Sequence, residues 1–254
     1  MFPILLGALF IGLSLGIFGS GGSILTVPVL VYLGGQDPKV AIAGSLLVVA
    51  SISFVSTLFN LPKRYISWKH VIWLGLPGIL GTVAGSSLAD LVSGAIQLLV
   101  FAVLMLLAVV FMWRNSASLQ PENTQPNLPL LILQGATIGV ATGFVGVGGG
   151  FLIVPALVLI GHLAFYRAAA TSLVIIVINS SIGFIHYQHL LSQQALHLNW
   201  PVLAILSACG IAGSFVGQKL VPKLPRILLQ KSFAIFLLGM ASFVIYQTLP
   251  TVIA

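Results

Sequence analysis

The sequence predicts an all-α polytopic membrane protein built from two homologous repeats, and three observations support this prediction. The 254 residues are 59% hydrophobic and only 5% charged, with a mean hydropathy of +1.16, whereas soluble domains carry about 25% charged residues. A glycine-rich stretch inside the first apolar run returns in the second half of the chain, and a polar segment separates the halves. The chain has room for several spans of about 20 residues each.

The glycine-rich stretch occupies positions 16–28 and returns at 143–155, an offset of 127 residues. Held without gaps from position 16 to 34, this offset pairs ten identical residues in nineteen. Five of the pairs are glycines: Gly16/Gly143, Gly19/Gly146, Gly21/Gly148, Gly22/Gly149 and Gly34/Gly161. Because glycine is a poor helix former, each copy is predicted to be a helix that breaks within the bilayer. A broken backbone survives there only where protein or water satisfies its polar groups, so the two breaks are the predicted transport site.

The apolar runs give the same order of elements in both halves. The first half has a broken segment at 2–34 and spans near 40–61, 69–89 and 93–113. The second half has a broken segment at 129–161 and spans near 166–187, 199–221 and 227–248. The predicted organisation is therefore a first transmembrane repeat at 1–113, a polar cytoplasmic linker at 114–128 and a second transmembrane repeat at 129–254.

The spans near 69–89 and 199–221, which are equivalent in the two halves, each carry glycines four residues apart. After an insertion of five residues the offset becomes 132, and it pairs Gly81-xxx-Gly85 with Gly213-xxx-Gly217. Small residues at this spacing let two helix backbones approach closely. The sequence therefore predicts tight helix packing at both of these spans.

Two topologies fit these elements. If each broken segment crosses the membrane once, there are eight spans, the repeats share one orientation, and the basic residues divide six to four between the two faces. If each segment re-enters, the repeats are inverted and nine basic residues share one face: Lys63, Arg64, Lys69, Arg114, Arg167, Lys219, Lys223, Arg226 and Lys231. Only Lys39 then lies opposite. The positive-inside rule favours inverted repeats with both termini outside.

The predicted spans contain no aspartate or glutamate, which disfavours a cation as substrate, since cation carriers usually place carboxylates at membrane depth. The formal charge of +7 comes from basic residues scattered in short loops, which indicates membrane topology rather than nucleic-acid binding. The single cysteine provides no disulfide and no metal cluster. We expect no metal, no cofactor and no catalytic centre.

Neutral hydrogen-bond donors are what the membrane interior offers. The free amides of a half-helix that begins at a glycine break, together with nearby hydroxyl and amide side chains, can replace the water around an oxyanion. The predicted substrate-binding residues are Gly19, Ser20, Gly21, Gly22, Ser23, Ser45, Gly146, Gly148, Gly149, Gly150, Thr171, Ser172 and Asn179. The alternative for the hydroxyl residues is a bond back to their own helix.

These motifs resemble those of the TauE/SafE family, the sulfite exporter and toluene-sulfonate uptake permease type. The resemblance rests on two copies of Gly-x-x-Gly-x-Gly-Gly-x-x-x-x-x-Pro, followed by Ala43-Gly-Ser-Leu46 in the first half and Ala170-Thr-Ser-Leu173 in the second. It covers both halves. The resemblance implies a membrane carrier of small sulfur-containing or organic anions.

The predicted function is therefore a multi-pass secondary transporter of the inner (cytoplasmic) membrane that moves a small anion, such as sulfite or a sulfonate, by alternating access at a midplane site. The alternatives are a channel-like conduit for anions and a membrane receptor that binds an anion without transporting it. The expected partners are a small anion and the lipid bilayer, with a second copy of the chain as a further possible partner.

Overall fold

The computed structural model describes residues 2–114, 128–194, 196–221 and 225–253, and within them the chain is helical. Residues 115–127 of the predicted linker lie outside the described residues. The helices of the first half are α1 (Phe2–Phe18), α2 (Gly21–Pro28), α3 (Pro38–Asn60), α4 (Trp68–His70), α5 (Leu76–Ala89) and α6 (Gly94–Arg114). Two π-helical turns, Val29–Leu33 and Val71–Gly75, extend α2 and join α4 to α5.

The helices of the second half are α7 (Leu128–Val145), α8 (Gly150–Leu159), α9 (Phe165–Gln193), α10 (Trp200–Leu220) and α11 (Arg226–Ile253). Seven helices of the described chain are long and apolar enough to cross a membrane. Large apolar side chains cover the outer surface, as Leu80 does with 75% of its area exposed, which suits contact with lipid. The prediction of an all-α multi-pass membrane protein is therefore confirmed.

Helix α1 and helix α2 lie side by side and run in opposite directions. A Cβ at Gly22 would lie 2.6 Å from the Cβ of Leu15, and one at Gly7 would lie 3.0 Å from a methyl group of Val29. The return helix continues past Pro28 through its π-helical turn, in which the N–H of Gly34 donates to Val29 at 2.9 Å, five residues back. The wider turn fits a segment in which Pro28 supplies no N–H of its own.

Helix α10 packs in parallel on α1, and helix α5 packs in parallel on α7, so equivalent helices of the two halves make these contacts. Along α1 and α10, a Cβ at Gly12 would lie 2.6 Å from the carbonyl carbon of Gly210, and one at Gly16 would lie 2.9 Å from that of Ser214. Helices α7 and α5 repeat the arrangement: a Cβ at Gly139 would lie 2.9 Å from the Cα of Gly78. The four glycines predicted to allow close packing, Gly81, Gly85, Gly213 and Gly217, all lie against backbone of the neighbouring helix.

Replacing Gly12 with valine is expected to unfold the protein at a markedly lower temperature. Backbone atoms of Gly210 fill the space that a side chain at Gly12 would need, so α1 and α10 must separate, at a cost of about 3 kcal/mol or more. The matched control is Gly239→Val, because Gly239 lies in α11 with nothing within 4 Å of its Cβ position. Thermal unfolding in detergent measures both variants, and equal midpoints would contradict the close packing.

Helices α3 and α9 form the centre of the molecule. Of their apolar 18-residue stretches, 61% and 67% are buried, the highest shares among the seven candidate spans. The two helices run in opposite directions, since Leu46 lies against Gly183 while Ile42 and Tyr187 both lie against Gly146. These two equivalent helices therefore pack against each other across the two halves.

Helix α9 ends at Gln193 and not near residue 187, where the apolar run had placed its end. The additional turns carry Leu190 and Leu191, which are 4% and 2% exposed and pack into the core. Burial of these two leucines holds the polar residues around them in the helix.

Candidate functional site

Both predicted helix breaks are present, and glycine makes each of them possible. The first is the pair of residues between α1 and α2, and the second is the four-residue turn between α7 and α8. Gly19 has φ +70°, and Gly146, Gly148 and Gly149 have φ +67°, +68° and +77°. Because side chains rarely tolerate positive φ, these positions require glycine in order to turn the chain. We call them the first and second glycine turns.

The two glycine turns meet between α3 and α9. A Cβ at Gly150 would lie 2.9 Å from the Cβ of Ser20, so the starts of α8 and α2 touch. A Cβ at Gly148 would meet the hydroxyl of Ser180 on α9 and, at 3.7 Å, a methyl group of Val49 on α3. Residues from both halves, as far apart in sequence as Ser20 and Gly150, therefore form one buried cluster.

A pair of equivalent serines holds the turns in place. The hydroxyl of Ser172 donates to the carbonyl of Gly19 at 3.0 Å, and the hydroxyl of Ser45 donates to the carbonyl of Gly146 at 3.1 Å. Each hydroxyl also lies 2.8 Å from the carbonyl three residues earlier in its own helix. Helix α3 therefore positions the second glycine turn, and helix α9 positions the first.

The starts of α2 and α8 present backbone N–H groups that have no helical partner. The first bonds of the two helices are Ser23 N–H to Ser20 at 3.2 Å and Leu152 N–H to Gly149 at 3.0 Å. Neither helix start has a side-chain cap. The N–H groups before those bonds belong to Gly21, Gly22, Gly150 and Phe151. Free amides and the positive end of the helix dipole favour a negative charge at such a position.

Three fully buried hydroxyls also have no hydrogen-bond partner among the described residues. They belong to Ser20 at the start of α2, Ser53 on α3 and Ser180 on α9. Ser53 and Ser180 occupy equivalent positions in the two halves. The Ser23 hydroxyl, in contrast, donates to the carbonyl of Ser20 at 2.7 Å. Buried polar groups are normally paired, so the three unpaired hydroxyls call for a ligand or water.

Thr171 and Asn179 are predicted to bind substrate, and the contacts that the structure gives for their side chains are with segments other than the glycine turns. The hydroxyl of Thr171 accepts the N–H of Ser67 at 3.0 Å and so ties the segment before α4 to α9. Asn179 lies against Gly78 of α5, and its Oδ1 is buried without a partner. The other predicted residues lie in the two turns, at the starts of α2 and α8, or hold a turn.

A cavity of about 40 Å³ leads from one end of the molecule to the first glycine turn. Its walls include Lys63, Tyr65, Tyr166, Asn60 and Gln218, and it reaches Gly19. The rings of Tyr65 and Tyr166 meet edge to face at 5.0 Å. None of these five residues was predicted from the sequence, because they come from three different helices and a connecting segment. We call this cavity the vestibule.

Tyr187 fills the corresponding position beside the second glycine turn. It is fully buried, and its hydroxyl lies 3.2 Å from the carbonyl of Gly143 and 3.0 Å from that of Phe144. Gln97 donates to the same hydroxyl at 3.4 Å. Under the 127-residue offset Tyr187 is equivalent to Asn60, which lines the vestibule. One glycine turn is therefore open to a cavity, while a tyrosine packs over the other.

The two acidic residues of the described chain lie at helix ends. Asp37 caps the start of α3 by accepting the N–H of Lys39 at 2.8 Å, and Asp90 follows the end of α5. The third acid, Glu122, lies outside the described residues. Within the described part of the chain, no group of three or more His, Cys, Asp or Glu side chains could hold a metal ion. The cluster is therefore made of neutral donors.

Comparison with known proteins gives one family. A family described as sulfite exporter TauE/SafE matches residues 4–244. Relatives include probable membrane transporter proteins of Xylella fastidiosa strain 9a5c, 30% identical over 96% of this chain and 94% of the relative, and of strain Temecula1, 29% identical with the same coverage. A probable membrane transporter protein of Methanocaldococcus jannaschii is 28% identical over 90% of this chain and 91% of its own length. No solved structure matches the chain.

Proposed function

The chain belongs to the sulfite exporter TauE/SafE family of membrane transporters, and on that basis we propose that it is a secondary transporter of a small anion such as sulfite or a sulfonate. The observation on which this proposal depends is the contact between the uncapped starts of α2 and α8, where Ser20 meets Gly150. The substrate would bind where these two helix starts face each other.

Electrostatics favours an anion at this position. Each helix start is equivalent to about half a positive charge, so two starts in contact repel one another until a negative charge lies between them. The unpaired hydroxyls of Ser20 and Ser180 add donors there, since Ser20 lies against Gly150 and Ser180 against Gly148. Because amides and hydroxyls carry no full charge, they can replace the hydration of the anion without holding it permanently.

The packing pattern supports inverted repeats. Helices α1 and α2 are antiparallel, α10 lies parallel to α1, and α5 lies parallel to α7. The two halves therefore make equivalent contacts with each other. With each glycine turn formed by a re-entrant hairpin, nine of the ten basic residues share one face, which we assign to the cytoplasm of the cytoplasmic membrane. Transport would then follow alternating access, with one half rocking against the other about α3 and α9.

Reconstitution tests the proposal directly. Proteoliposomes are expected to take up sulfite with saturable kinetics, and sulfite inside the vesicles should accelerate entry of labelled sulfite. Vesicles without protein provide the baseline. Flux that rises linearly with concentration and shows no counterflow would indicate a channel. Binding without flux would indicate a receptor, and failure to move sulfite, sulfoacetate and toluenesulfonate would contradict the anion assignment.

A further inference from the structure

Gln218, which lines the vestibule, carries a hydrogen-bond donor that has no partner among the described residues. Gln218, in the last turn of α10, is 8% exposed and lines the cavity. Its Nε2 atom is buried and makes no hydrogen bond to any described residue. An amide nitrogen can only donate, and buried donors are normally paired. A nearly buried glutamine beside a cavity, with an unused N–H₂ group, therefore points to a bound acceptor.

A neighbouring amide fixes which end of Gln218 is left over. Nδ2 of Asn60 donates to the carbonyl of Ser56 at 2.9 Å and to Oε1 of Gln218 at 2.9 Å. The carbonyl of Ser56 requires a donor, which sets the orientation of the Asn60 amide. Asn60 then presents N–H to Gln218, which must answer with its oxygen. The nitrogen of Gln218 is therefore the free end of a short, oriented amide chain.

The charge at the vestibule favours an anion. Among the described residues that line the cavity, Lys63 is the charged one and none is a carboxylate. Helix ends of both signs meet here, since α9 begins near the cavity while α3 and α10 end there. Their partial charges offset one another, so Lys63 and the Gln218 amide set the sign. The volume of about 40 Å³ exceeds the roughly 10–15 Å³ that one water molecule needs, so the cavity has room for a compact ligand.

We propose that the vestibule is a second anion site, in which Nε2 of Gln218 donates to an oxygen of a compact oxyanion and Lys63 provides the attracting charge before the anion reaches the glycine turns. The ligand class rests on the proposed function. The site exists at one end only, because the positions equivalent to Asn60 and Gln218 in the other half are Tyr187 and Ser86.

The experiment measures equilibrium binding of sulfite to purified protein, together with the KM and maximal rate of uptake in proteoliposomes. Gln218→Leu is expected to raise the dissociation constant and KM about tenfold, with the maximal rate within about twofold of the original protein. The matched control is Gln230→Leu, because Gln230 is also 8% exposed but its Nε2 donates to Met112, away from the vestibule. Gln230→Leu should bind sulfite as the original protein does.

A second variant keeps the test independent of folding. Lys63 is exposed, so Lys63→Gln should leave thermal stability unchanged while it raises the dissociation constant about threefold and reduces its dependence on salt. Unchanged binding in both Gln218→Leu and Lys63→Gln, or no sulfite binding by the original protein, would overturn this site. Sulfite binding that depends on Gln218 without any transport would instead contradict the proposed function alone.

Discussion

Gly149→Ala is expected to reduce anion transport about 100-fold while leaving most of the protein folded. Gly149 has φ +77° and precedes the first residue of α8. An alanine there would be strained by about 1–2 kcal/mol, and its methyl group would lie 2.9–3.0 Å from three side-chain atoms of Thr142. The turn must shift, which moves the N–H groups of Gly150 and Phe151, and a displacement of about 1 Å at a reacting group can cost about 100-fold in rate.

The chain offers a matched control for the strain itself. Gly35 also has a positive φ, +61°, but nothing lies within 4 Å of its Cβ position. Gly35→Ala carries a similar backbone cost and should retain transport within about twofold. Initial rates of sulfite uptake, normalised to folded protein, compare the two variants. If both lose transport equally, or if neither does, the second glycine turn has no special role.

The first half should respond in the same way. A Cβ at Gly22 would lie 2.6 Å from the carbonyl of Ile11 and 2.6 Å from the Cβ of Leu15. Any larger residue at this position pushes α2 away from α1 and displaces the amides at the start of α2. Full transport in both Gly22→Val and Gly149→Val would contradict the binding site that we propose.

The features that could be predicted from the sequence are those that a local residue pattern specifies and that occur in both halves. Glycine clusters break a helix wherever they occur, so both breaks lie where the repeat placed them, at Gly19 and at Gly146–Gly149. Glycines four residues apart mark a close helix contact for the same local reason, and Gly81 and Gly213 both lie against backbone. In these cases the residue type alone specifies the geometry, and the second copy excludes coincidence.

The features that sequence could not supply are contacts between the halves. Ser45 bonds to a carbonyl 101 residues away, and Asn60 bonds to Gln218 across 158 residues. A serine in an apolar helix most often bonds to its own backbone, and nothing in the sequence near Ser45 shows that its hydroxyl also reaches the other half. Thr171 stands beside Ser172 in the family-like motif, yet only Ser172 reaches a glycine turn, because adjacent residues of a helix face different neighbours.

The difference between Asn60 and Tyr187 makes the two ends of the molecule unequal. The two residues occupy equivalent positions in α3 and α9, but the shorter Asn60 lines a cavity while Tyr187 bonds to the carbonyl of Phe144 at the end of α7. A vestibule beside one glycine turn and a tyrosine over the other is the asymmetry expected of one state of the carrier that we propose. In the topology that we propose, the vestibule lies on the cytoplasmic side.

This asymmetry predicts a large and reversible difference in cysteine labelling. Ala169 and Ile42 are equivalent positions, and they lie against Gly19 and Gly146, respectively. Ala169 lines the vestibule, whereas Ile42 is 0% exposed. In a background of Cys209→Ser, which removes the single native cysteine, we expect a membrane-impermeant thiol reagent to label Ala169→Cys from the cytoplasmic side. Labelling of Ile42→Cys from the outside should be about 10- to 1,000-fold slower, since minor conformations are populated at about 0.1–10%.

An imposed anion gradient should reverse the pattern if the protein alternates between two states. Substrate that drives the outward-facing state should speed labelling of Ile42→Cys and protect Ala169→Cys to a similar degree, because the same rocking motion that frees Tyr187 must close the vestibule. Tyr65→Cys serves as the control, since Tyr65 is 37% exposed at the mouth of the vestibule and should label quickly in either state. Fast labelling of both equivalent positions at the same time would require a continuous path, and the protein would then be a channel rather than a carrier.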